Sequence, residues 1–102
     1  MTKKFIWKHD NIEYTITKSD KPDKKLKGVY INPETGLKNT LYFGATKNKE
    51  GRKYQHYYDK TGILDEKLNH YDNVRRKRYR ERHKNDKLNE PSSGLLSYNL
   101  LW

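Results

Sequence analysis

The chain is 102 residues long, with 23 Lys and Arg against 13 Asp and Glu, a formal net charge of +10 and no cysteine. That length reads as a single small domain, the lack of cysteine excludes disulfides and thiolate metal sites, and no apolar run approaches the ~20 residues needed to span a bilayer. Hydrophobic residues make up 31% of the chain and charged ones 35%, so the core must be thin, and nine tyrosines, able to bury a ring while the hydroxyl stays wet, must supply part of it.

Residues 4–18 read as a β-hairpin. Phe5 and Trp7 alternate with Ile6 and Lys8, and Ile12, Tyr14 and Ile16 alternate with Glu13, Thr15 and Thr17. Asp10-Asn11 supply turn chemistry between the two runs. Only the triplet Phe5-Ile6-Trp7 is apolar at the N-terminus, so it does not read as a signal peptide. Ser19 to Lys25 (SDKPDKK) is a polar loop with a proline. A second hairpin follows as LKGVYIN and LKNTLYFG, around the turn Pro33-Glu34-Thr35-Gly36, where Pro33 presets φ and Gly36 closes. The simplest construction over 4–44 is a four-stranded antiparallel meander, and the fold class is α+β.

Residues 45–71 read as a loop region. Ala45 to Lys53 (ATKNKEGRK) is solvated, Tyr54, Tyr57 and Tyr58 fall on a short strand or turn, and Gly62 breaks anything longer. Asp72 is an N-cap, its carboxylate accepting from the first free N–H groups of a helix running from about Asn73 to Asn85, within a basic segment over 72–86. On that helix only Val74 and Tyr79, with Tyr71 just ahead, can face a core. After Pro91-Ser92-Ser93-Gly94, the segment 92–102 forms a short apolar helix carrying Leu95, Leu96, Leu100, Leu101 and Trp102, with no charged side chain from Leu95 onward. It must dock, either back on the sheet over Phe5, Trp7 and Ile16 or into another protein.

The chemistry concentrates in the basic helix. Arg75, Arg76, Lys77, Arg78, Arg80, Arg82 and Lys84 stand against the single acid Glu81. Cations at this density cannot share one face, and the i,i+4 pairs Arg76/Arg80 and Arg78/Arg82 repel. Most are Arg, whose planar fork binds phosphate or carboxylate bidentately, although Lys is abundant elsewhere. Arg52 and Lys53 extend the candidate anion site toward tyrosine rings that can stack on bases. A chain at +10 attracts nucleic acid, anionic membrane or acidic protein surfaces.

Other chemistry is set aside. Gly28-Val29-Tyr30 and Tyr42-Phe43-Gly44, followed by Arg52, imitate the GIY-YIG nuclease signature. However, Phe43 departs from it, and no helix-borne metal-binding Glu follows, since Glu81 lies among arginines and Glu90 in a loop. Core tyrosines in a hairpin explain the same residues. His9, His56, His70 and His83 are scattered; His70 with Asp72 makes at best two metal ligands, and capping accounts for Asp72 better. The serines have no His/Asp partners that the sequence brings together.

The segments YFG (42–44), HYDNVRRKRYRERHK (70–84) and PSSGLLSYNLLW (91–102) resemble a group of small, basic, largely uncharacterised proteins encoded by giant (nucleocytoplasmic large) DNA viruses. Those show a Phe-Gly at a strand end, a His-x-Asp helix cap, an Arg-rich helix with a central Tyr, and a Pro/Ser…Leu-Ser…Leu-Trp ending. Members continue past the terminal Trp, whereas this sequence stops at Trp102, and Thr61 to Asn69 looks like an insertion. The resemblance implies a viral origin and a virion or DNA-associated role, and it carries no activity with it.

The resulting expectation is a non-enzymatic structural or binding protein of the virus particle, a minor capsid or core component, without cofactor, metal or catalytic residue. Its basic helix would bridge viral structural proteins with acidic surfaces; alternatively, it would bind nucleic acid through the phosphate backbone without sequence preference. It would reside in the virion, and in host cytoplasm or nucleus during assembly.

Overall fold

The computed structural model describes residues 3–47, 50–86 and 90–102, so part of the expected loop over Ala45 to Lys53 falls outside the described residues. Four strands, β1 (Lys4–His9), β2 (Ile12–Lys18), β3 (Lys24–Ile31) and β4 (Lys38–Ala45), form one antiparallel sheet in the order β1-β2-β3-β4. Two helices follow, α1 (Asn73–His83) and α2 (Ser93–Leu100), giving the α+β arrangement.

Each hairpin forms where its turn chemistry allows. Asp10 and Asn11 both adopt left-handed backbone, at φ 49° and 65°, the pair of positive φ values that a two-residue type I′ turn requires. The turn fixes the register, with Phe5 opposite Ile16 and Trp7 opposite Tyr14. Between β3 and β4, Asn32 N–H donates to the Leu37 carbonyl at 2.8 Å and Gly36 N–H to the Asn32 carbonyl at 2.8 Å. Gly36, at φ 71°, takes the conformation a side chain would resist. The expected loop Ser19–Lys25 is shorter by two residues at its far end. Lys24 already pairs with Ala45, and Ser19 N–H reaches the Lys25 carbonyl at 3.0 Å.

The pleat sends Tyr14, Ile16, Leu26, Tyr30 and Phe43 to one face of the sheet, where all are buried. Helix α2 lies on that face. Gly28 sets the spacing, because a Cβ there would stand 2.7 Å from Leu96 Cδ1 and 3.1 Å from Ile16 Cδ1. Leu95, Leu96, Leu100, Leu101 and Trp102 are each at most 4% exposed. Of the two docking partners open to this segment, it takes its own sheet, and these five side chains are not available to another protein in this fold.

Helix α1 packs on α2 rather than on the sheet. Its contact is Tyr79, whose ring stacks on Trp102 at 4.2 Å and 6° and whose hydroxyl lies 3.0 Å from Ser97 Oγ. Val74 and Tyr71, expected to face a core, are 60% and 53% exposed. They miss it because the inward face of α1 is narrow and Tyr79 fills it. The helix also ends at His83, short of the expected Asn85. There the chain turns: Asp86 N–H donates to the His83 carbonyl at 3.1 Å, and its carboxylate meets the His83 Nδ1 at 2.7 Å.

The region around Tyr54, Tyr57 and Tyr58 contains no strand, only isolated bridges (Lys47 with Lys53, His56 with Asn69), followed by a 3-10 turn, Glu66–Leu68. No helix among the described residues is long and apolar enough to cross a membrane.

Candidate anion-binding site

Asp72 starts the basic helix as expected, its Oδ1 accepting from Val74 N–H at 3.0 Å and Arg75 N–H at 3.2 Å. An exposed cap of this kind satisfies two of the four orphan donors of the first turn. Ahead of it, Tyr71 stands at φ 53° and the Asp72 N–H donates to His70 Nδ1 at 2.9 Å. His70 is therefore part of the entry to the helix, and burial, then Arg75, hold its pKa below the ordinary histidine value.

The helical repeat then sorts the cations into two flanks on either side of Tyr79. On one, Arg76 and Arg80, four residues apart, both turn toward the chain itself. Their Nε atoms donate to the Trp102 main-chain oxygen at 2.8 Å and 3.3 Å. Their guanidiniums lie over aromatic rings, Arg76 over Tyr57 at 5.2 Å and Arg80 over Tyr98 at 4.3 Å. The i,i+4 repulsion expected between them is offset by a shared acceptor and two ring faces.

On the other flank, Arg75, Arg78 and Arg82, with Lys77 and Glu81, border a groove of about 560 Å³ whose remaining wall is Tyr54 and Trp102. Arg75 is partly anchored, donating from Nη1 to Gln55 Oε1 at 3.2 Å. Lys84 pairs with Glu81 at 3.5 Å, both well exposed, and such a surface pair contributes little. Arg76 and Arg80 thus hold the helix down, Arg75, Lys77, Arg78 and Arg82 border an aromatic-walled groove, and Lys84 stands outside both sets. Arg52 and Lys53 join neither. Both are exposed, and Lys53 lies with Lys47 and Lys67 around a different hollow of about 510 Å³.

The nuclease-like tyrosines are not brought together. Tyr30 points into the core, 5.3 Å from the Tyr14 ring, whereas Tyr42 stands opposite Lys27 on the other face of the sheet, with the Lys21 ammonium 4.2 Å from its ring. The pleat alone separates them. Among the described residues no group of three or more His, Asp or Glu could hold a metal ion.

A buried polar cluster was missed by the sequence reading. Lys25, His56 and Asp59 are 7%, 1% and 4% exposed. The Lys25 ammonium donates to the Tyr54 carbonyl and lies 3.1 Å from His56 Nδ1. Burial lowers the Lys25 pKa to about 8, opposed by Asp59, and burial followed by Lys25 lowers that of His56 to about 4. Asp59 in turn accepts from the N–H groups of Thr61 and Leu64, each at 2.8 Å. These residues tie the 54–64 segment to β3. Alternation assigns Lys25 to the open face, but Gly44, at φ 79°, breaks the ladder at the Lys25/Gly44 position and lets the side chain turn inward. Only that glycine next to a strand end hinted at it.

Compared with protein-family models, curated proteins and solved structures, the chain matches none.

Proposed function

We propose that this is a non-enzymatic binding protein whose α1 groove takes an acidic segment of a partner protein. In the setting that the sequence resemblance implies, the partner is a structural protein of a virus particle and this chain is a minor component of that particle. One observation carries the reading: the groove combines a cationic rim (Arg75, Lys77, Arg78, Arg82) with a wall of Tyr54 and Trp102. An acidic peptide bearing one apolar side chain fills both, with arginine forks on its carboxylates and the ring edges against its apolar group. The backbone of duplex DNA has nothing to set against that wall. The separation of Tyr30 and Tyr42 supports the non-enzymatic part.

Competition between an acidic, leucine-containing peptide and duplex DNA tests this, read by fluorescence anisotropy across a salt series. With about four outward cations engaged, duplex binding should weaken with a log–log salt slope near −3.6, about −0.9 per phosphate. The expected result is that the peptide displaces the duplex and that Arg78→Ala with Arg82→Ala weakens both. A peptide that fails to compete while the duplex keeps that slope would put nucleic acid in its place.

A further inference from the structure

Just ahead of α1 the backbone holds a strained residue where the turn itself has no need of a large one. Tyr71 takes a left-handed conformation, at φ 53°; the other non-glycine residues so placed among the described residues are Asp10 and Asn11. Asp and Asn tolerate it because their short polar side chains bond locally, whereas a bulky ring gains nothing from it. Asn or Gly would make the same turn with less strain. Burial does not offset that strain, because Tyr71 is 53% exposed.

A second exposed ring stands beside it. Tyr58, 43% exposed, lies 5.7 Å from Tyr71 at a tilt of 30°, and Tyr57 meets Tyr71 edge-on at 6.4 Å. All three are fixed through their backbones. The Tyr57 and Tyr58 N–H groups donate to the Leu101 carbonyl at 3.1 Å and 3.2 Å, and Tyr71 N–H donates to the Tyr57 carbonyl at 3.1 Å. Tyr57 also ties the group to the first turn of α1. Its hydroxyl donates to Asn73 Oδ1 at 3.0 Å, and the Arg76 guanidinium lies over its ring at 5.2 Å. Asp72, the acid that follows Tyr71, already accepts from Val74 and Arg75 N–H. Neither exposed ring borders the α1 groove.

Two exposed rings, preorganised at the start of an arginine helix on a chain at +10, suit one ligand class above others. Each nucleotide of a single strand brings a flat π face for a ring and a phosphate for a cation. Bases in a duplex are stacked on one another and must be unstacked before a side chain can take their place. We propose that Tyr58 and Tyr71 form a stacking platform for unpaired bases of single-stranded nucleic acid, with its phosphates drawn to the α1 cations. The platform does not depend on what the groove binds.

The test compares two oligonucleotides of equal length and charge, a single-stranded oligothymidylate and its abasic counterpart, titrated against the intact chain by fluorescence anisotropy. The strand with bases should bind about tenfold tighter, the gain from one stacked base. Tyr71→Asn suits the left-handed backbone, so it should melt close to the parent chain and lose that preference, while Tyr71→Phe keeps the ring and the preference with it. Tyr58→Ser, at an ordinary backbone position, should diminish the preference as well. Arg78→Gln with Arg82→Gln should weaken both strands alike and leave their ratio unchanged, so platform and groove can fail independently. Equal affinity for the two strands, or a preference undiminished in Tyr71→Asn or in Tyr58→Ser, would overturn the proposal.

Discussion

The two helices adjoin in sequence and in space and are held by opposite means. Helix α2 has eight residues with no charge, and its leucines, with Leu101 and Trp102 beyond it, are buried to within a few per cent. Helix α1 has eleven residues and buries one of them, Tyr79. Burying a leucine stabilises by about 1.5–3 kcal/mol, so α2 persists by tertiary packing although it is too short to be a helix alone. Nothing similar acts on α1. It is fixed by a carboxylate cap at one end, one stacked ring in the middle and two arginines that reach a main-chain oxygen. Where packing holds an element, its outer face is incidental. Where a few polar contacts hold it, the remaining side chains are free for other work, and in α1 those are cations.

That contrast can be broken most forcefully at α2. Removing Leu100 to Trp102 deletes three buried side chains, and Leu→Ala alone in a core costs about 2–5 kcal/mol. The sum rivals the ~5–15 kcal/mol total stability of a domain, so the truncated chain should show no cooperative melt at ambient temperature. A normal melting curve would mean that α2 is not the keystone of the core. The next largest effect separates the flanks of α1. Arg76→Ala with Arg80→Ala should destabilise by about 3 kcal/mol or more in urea titrations, taking about 1.5 kcal/mol or more per charged hydrogen bond. Arg78→Ala with Arg82→Ala should stay within about 0.5 kcal/mol of the parent chain. Equal losses in the two pairs would erase the distinction between anchoring and outward arginines.

The buried cluster under the 54–64 segment sharpens the comparison through pH. Below the ordinary value of 6.5, an unfolded chain protonates His56, whereas the folded one refuses the proton until about pH 4. Stability is therefore lost as pH falls across that window, by about 3 kcal/mol between pH 7 and pH 4 from this residue. His56→Gln should flatten that part of the curve in pH-dependent denaturant titrations, while an unchanged slope would remove His56 as its cause. Last comes Asp72→Ala, which should cost about 1 kcal/mol and shorten α1 at its start, seen as a small loss of helical circular dichroism.

The parts of the molecule visible from the sequence are those where cause and effect are neighbours. Asp10-Asn11 dictate a turn, the alternation around them dictates a face, and Asp72 dictates a helix start within three residues of itself. The long 45–71 segment was not readable because its order comes from Lys25 and His56 meeting across 31 positions. The division of the arginines was hidden for the same reason: the acceptor for Arg76 is a main-chain oxygen 26 residues away, and an oxygen common to every residue leaves no mark in a sequence. That α2 would dock was evident from its composition. That it would dock on its own sheet depended on Gly28, whose missing side chain is a signal only once Leu96 is seen against it.

Among the described residues, the open four-stranded meander leaves strand β1 with one side unpaired, a ready template for a second copy of the same strand. Along β1 the exposed side chains are Lys4, Ile6 and Lys8. If two copies paired antiparallel about Ile6, Lys4 of each would lie directly opposite Lys8 of the other, placing like charges in register twice across a single short ladder. The apolar residue that would reward such pairing is bracketed by the two that penalise it, so β1 carries its own guard against edge-to-edge growth.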